Sequence, residues 1–238
     1  MNLLGTRRGR IALFTLLYAS EGAPIGFIWW MLPVHLRTSG HPVEQITALT
    51  ALLVLPWSLK FLWAPAVDLL RTRRWTLRSW IIAAQSVMAL SLLMLPAAAE
   101  SGALAPLLAV LLLHTVAAAT QDVAIDALCI RSAPADELPV LNGWMQAGMM
   151  SGRALFGGGS ILLLSGSGLS LAAPLLALFI LITSSAVWFA LPAGSGAEGS
   201  GASLRSLLSH LFAPEHRTGI LYALLFALTG GAAYEGVG

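Results

Sequence analysis

The chain has 238 residues, of which 57% are hydrophobic and only 10% charged, with a mean hydropathy of +0.81 and a formal net charge of +2. A soluble domain carries about 25% charged residues, so one soluble core cannot hide this much apolar sequence and lipid must solvate it. The net charge is too small to point to nucleic acid, and a single cysteine, Cys129, excludes an intrachain disulfide. The expected class is an all-α polytopic membrane protein.

Residues 1–10 carry Arg7, Arg8 and Arg10 ahead of the first apolar run, Ile11–Leu36. That run contains Glu21 and no clear small-residue cleavage site, so it reads as an uncleaved first helix rather than a signal peptide. Spans of roughly 20 apolar residues then recur at Glu44–Val67, Leu77–Ala99, Leu104–Ile130, Leu138–Ser165 and Leu169–Leu191. T-S-G-H-P at 38–42, P-A-D-E-L-P at 134–139 and S-G-S-G at 165–168 separate several of them with turn chemistry. Residues 11–191 are thus expected to form a six-helix bundle, and 192–217 a Gly/Ser-rich cytoplasmic linker. Residues 218–238 then open a second bundle with a seventh span, Thr218–Gly236, so the chain is expected to be the first part of a longer or truncated protein.

Alternating sides put Arg7, Arg8, Arg10, Arg71, Arg73, Arg74, Arg78, Arg131, Arg205 and Arg217 on one side and only Arg37 on the other. The positive-inside rule makes that richer side cytoplasmic. The expected location is the cell membrane, with the N-terminus inside.

Charged groups at membrane depth are costly and mark pathways. The first span holds Glu21, the second Lys60, the fourth His114, Gln121, Asp122 and Asp126, and the fifth Gln146 and Arg153. The third carries mainly Gln85, and the sixth no charge. Spans 1, 2, 4 and 5 are therefore expected to enclose a cavity, with 3 and 6 peripheral. Asp122 and Asp126 stand four residues apart, on one helix face. Counting back from Arg131, they lie roughly 13 and 8 Å deep, while Glu21 lies roughly 16 Å past Arg10. Pro24, shortly after Glu21, removes a helix hydrogen bond and loosens the backbone there.

Three segments carry a resemblance. Trp57-Ser-Leu-Lys60-Phe-Leu-Trp-Ala-Pro65-Ala-Val-Asp68 closes the second span, and Ala119-Thr-Gln-Asp-Val-Ala-Ile-Asp-Ala127 lies in the fourth. Asn142, Gln146, Gly152 and Arg153, followed by Gly157–Gly159, make the fifth glycine-rich. Together they resemble AmpG-like muropeptide permeases and related acetyl-coenzyme A transporters of the major facilitator superfamily. The resemblance implies a six-helix half of that fold, a secondary active permease working by alternating access, and coupling to protons. It implies a small-molecule substrate and, as a partner, a second bundle beyond the linker, with the lipid bilayer as the surroundings.

Within that frame, Glu21, His114, Gln121, Asp122, Asp126, Gln146 and Arg153 are the expected substrate and proton pathway. Lys60, Asp68, Arg71, Arg73 and Arg74 are the expected cytoplasmic gate. Asp122 and Asp126 lock that gate by pairing with the arginines after Asp68, or one of them couples protons, or they contact the substrate. Lys60 either joins the gate or snorkels to the interface, and His114 relays protons or packs. Arg153 either holds an anionic substrate group or neutralises Glu21, and with Gln146 it suits an anionic or amide-rich solute. No cofactor, metal or catalytic residue is expected. Two rival readings remain open: a half-length membrane protein that does not transport, and an intramembrane transferase holding magnesium on the D-x-x-x-D pair.

Overall fold

A computed structural model describes residues 2–164, 168–192, 194–195 and the isolated positions 213, 218 and 221. The expected linker and seventh span therefore lie outside the described residues, apart from those scattered positions. Among the described residues the fold is all-α, and five helices are long and apolar enough to cross a membrane. These are α1 (Arg7–Thr38), α2 (Val43–Leu62), α3 (Leu77–Glu100), α4 (Leu104–Ser132) and, last in the chain, α6 (Gly168–Ala190). Between α4 and α6 runs α5 (138–164), helical throughout but interrupted by polar and glycine residues.

Local chemistry sets the ends. Thr6 caps α1, its hydroxyl accepting from the Gly9 N–H at 3.1 Å. Thr76 and Ser79 cap α3 reciprocally, each side chain accepting from the other's backbone N–H. The second span stops earlier than its apolar run, which continues to Val67. Helix α2 tightens into a 3-10 turn at Lys60–Leu62, breaks at Trp63, and a separate short helix covers Ala64–Leu69. Pro65 is the reason, because it has no N–H for the carbonyl four residues back.

Helix α1 packs along α5, α3 lies against both α4 and α6, and α2 rests on α4. The α1–α5 contact is backbone against backbone. A Cβ on Gly22 or Gly26 would run into the Met149 or Arg153 carbonyl of α5, and one on Gly148 or Gly152 into those of Thr15 or Ala19 of α1. Both helices also contain a π-turn, Phe27–Met31 in α1 and Ala154–Gly158 in α5, and the two turns pack against each other.

The apolar core is divided in two. One cluster runs from Ala23, Met88, Ala118 and Ile180 toward the chain's first interhelical loop, and the other from Tyr18, Ile81, Ala124 and Val187 toward the N-terminal face. Between them each of these helices presents polar residues: Ser20 and Glu21, Gln85, Gln121 and Asp122, Thr183 and Ser184, all buried. The bundle is thus apolar at both ends and polar across its waist. Helices α3 and α6, expected to be peripheral, contribute to that waist, and α2 is the least covered of the five spans.

Candidate functional site

The waist is organised around Asp122. Lys60 of α2 forms an ion pair with Asp122 of α4, the lysine side chain 37% exposed and the aspartate 7%. The lysine is therefore reachable from the open side of the bundle, while its partner sits behind it. Trp63 steadies the same junction, its indole N–H donating to Thr120 Oγ1 at 3.2 Å. One helical turn further along α4, Asp126 Oδ1 accepts a hydrogen bond from the Tyr18 hydroxyl of α1 at 2.5 Å.

Glu21, 2% exposed, stands in the electrostatic field of Asp122, Lys60, Asp126 and Arg153, and its Oε2 has no hydrogen-bond partner. Arg153, on α5, donates to Met149 Sδ at 3.4 Å within its own helix. Gln121 is fully buried with neither side-chain amide atom partnered. An unpaired buried amide costs about 1–3 kcal/mol, so it is held there by the fold rather than by its own bonds. Behind α1, Gln85 Nε2 donates to Ser20 Oγ and to Thr183 Oγ1, both at 3.3 Å, and joins α1, α3 and α6.

The two aspartates do not pair with the arginines that follow Asp68. Arg71 bonds Asp68 itself at 3.0 Å, Arg131 reaches the same carboxylate at 3.4 Å, and Arg73 and Arg74 are exposed. Asp68 is too few residues beyond the break at Trp63 for its loop to turn back into the waist, whereas Lys60 precedes the break and points into it. Lys60 is consequently an interior partner rather than a snorkelling residue. Burial, then the neighbouring Arg131, lower the Arg71 guanidinium from its ordinary value, with Asp68 opposing both.

Two other expected pathway residues stand apart. His114 turns to α3, Nδ1 lying 3.0 Å from Ser91 Oγ and 3.3 Å from the Met88 carbonyl. Gln146 lies on the exposed face of α5. Tyr18, Ser20 and Thr183 escaped the reading of the sequence because hydroxyls are ordinary in membrane helices. Tyr18 alone left a trace, one turn before Glu21 and so on its face. The D-x-x-x-D pair is split between a lysine and a tyrosine, which is not the arrangement of a magnesium clamp. At the N-terminal face, Arg10 and Glu137 form a second, largely covered ion pair at 2.7 Å, tying α1 to the α4–α5 loop.

Residues 10–131 match the family described as acetyl-coenzyme A transporter 1, a stretch that runs from the ion-paired Arg10 through all of α2 and α3 to the end of α4. This chain belongs to the acetyl-coenzyme A transporter 1 family. The family match encloses Tyr18, Glu21, Lys60, Asp122 and Asp126. It leaves Arg153 and α5 outside. An uncharacterized protein of Haemophilus influenzae is 33% identical over 127 residues, covering 51% of this chain and 28% of that relative's length.

Proposed function

We propose that this chain is part of a secondary active permease of the AmpG-like group of the major facilitator superfamily, moving a small anionic solute by alternating access. The observation that carries the proposal is the Lys60–Asp122 pair, with the lysine accessible and Glu21 buried beside it. A charge pair at membrane depth is expensive unless used. An incoming anion competes with Asp122 for Lys60, and Glu21 and Asp126 lie in the same polar layer. Coupling to protons is the part of the proposal that the family resemblance adds. The orientation proposed from the arginine distribution places the N-terminus in the cytoplasm of a cell-membrane protein.

The family description makes acetyl-coenzyme A the first solute to try, and its phosphates suit a lysine. The native-length protein, tagged at its N-terminus and weighed intact from membranes, is reconstituted in liposomes with radiolabelled acetyl-coenzyme A and, separately, a muropeptide. Uptake accelerated by an inward proton gradient, and abolished by Lys60→Ala, is the expected result. Equal uptake by wild type and Lys60→Ala would remove the ion pair from the mechanism. No uptake of either solute by the wild type would leave the non-transporting membrane protein as the better reading.

A further inference from the structure

The turn between α2 and α3 carries two adjacent cations, Arg73 and Arg74, that no carboxylate among the described residues answers. Its backbone is closed by the Thr72 N–H donating to the Trp75 carbonyl at 2.8 Å. The Thr72 hydroxyl accepts from the N–H groups of Arg74 and Trp75 at 3.3 and 2.9 Å. Arg73 and Arg74 stand side by side at the tip of this tight turn. Both are exposed, and among the described residues neither has an ion-pair partner, since Asp68 is taken by Arg71 and Arg131.

What surrounds them is a set of donors at the level of an aromatic belt. Trp75 is 42% exposed and meets Trp80 edge-on at 5.6 Å. The Trp80 indole Nε1 and Arg78 Nε are buried without acceptors. Arg78 lies 4.5 Å over the ring of Trp188, itself 57% exposed, and donates to the Trp188 carbonyl at 2.7 Å. Exposed tryptophans of this kind mark the headgroup level of a bilayer. Two adjacent unpaired guanidiniums just beyond that level suit an anion with several oxygens.

We propose that this turn is a docking site for an anionic phospholipid of the leaflet on the N-terminal side, Arg73 and Arg74 holding the phosphate while Trp75 lies beside the glycerol and upper acyl chain. The lipid clamps the turn, and through Arg78 the clamp extends to the end of α6. The proposal needs the membrane embedding of the chain and not its transport activity.

The test is native mass spectrometry of the intact protein released from nanodiscs holding equal phosphatidylglycerol and phosphatidylethanolamine. Wild type is expected to keep phosphatidylglycerol preferentially. Arg73→Gln with Arg74→Gln should retain it more weakly, by about tenfold or more, because both guanidinium contacts to the phosphate are lost. Arg7→Gln with Arg8→Gln, which removes two other exposed arginines near the same face, should retain it as wild type does. Equal retention of the two lipids by wild type, or equal losses in the two double variants, would overturn the proposal. Should the Arg73/Arg74 variant not be recovered folded, quenching of tryptophan fluorescence by phosphatidylglycerol brominated near the headgroup decides. Trp75→Phe is expected to lose much of the quenching that is specific to this lipid, and quenching unchanged by Trp75→Phe counts against the site.

Discussion

Helices α1 and α5 meet backbone to backbone, whereas α2 and α4 meet through the ends of long side chains. In the first contact, glycines on both helices bring carbonyls within reach of the opposite Cα, and nothing there can be exchanged without moving a helix. In the second, Lys60 spans to Asp122 and Trp63 to Thr120, and α2 is otherwise sparsely covered. The two interfaces illustrate different uses of a lipid environment. Close packing of small residues holds elements that stay together. A charge pair holds elements only until a better partner for one charge arrives.

The contrast is broken most severely at the charge pair. Lys60→Ala leaves Asp122 buried without its cation and should cost about 3 kcal/mol, the lower end for such a loss because the lysine retains contact with solvent. Thermal unfolding in detergent should show that Lys60→Ala with Asp122→Ala recovers most of it. A double variant no more stable than the single one would mean that the pair is not the contact joining α2 to α4.

At the other interface Gly22→Ala pushes a methyl into the Met149 carbonyl and should cost about 1–3 kcal/mol as α1 and α5 separate. The same substitution at Gly143, where a Cβ meets nothing, should be neutral or better in the same unfolding measurement. Equal effects at both positions would refute the seam. Tyr18→Phe removes the donor to Asp126, and a side-chain hydrogen bond contributes about 0.5–1.5 kcal/mol net. We expect a loss near 1 kcal/mol, abolished in an Asp126→Ala background, which a double-mutant cycle measures. Smallest of all, Gln146→Ala on the exposed face of α5 should stay within about 0.5 kcal/mol in stability. A large drop in solute uptake without a change in unfolding would instead place Gln146 on the solute's path.

Hydropathy made the helices legible, and the cost of charge at depth made Glu21, Lys60, Asp122 and Asp126 legible as a set. What a single helix pattern cannot supply is how neighbouring helices are rotated about their axes. Pairing of Asp122 with the arginines after Asp68 was for that reason one of several readings left open, and the carboxylate's partner is instead Lys60, visible in the second span. The break at Trp63 decided the matter, and Pro65 announced a break without saying which side of it would face inward. Gln85 read as an isolated polar residue on a lipid-facing helix because its two partners are hydroxyls, on α1 and α6, whose own hydrogens are already given to the Leu17 and Ile180 carbonyls. The polar waist emerges only once four helices are aligned side by side.

The paired π-turns of α1 and α5 carry a consequence for heredity. Each turn accommodates one residue more than a regular helix of the same rise, and everything beyond it is rotated by about 100° relative to an uninterrupted helix. Deleting a single codon within Phe27–Met31 or Ala154–Gly158 would therefore return the turn to regular helix and leave the residues beyond it on their faces, whereas a deletion elsewhere in α1 or α5 would rotate everything beyond it off the shared interface. Descendants of this gene are expected to tolerate the loss of one residue within either turn far more readily than the loss of one in the regular helix on either side.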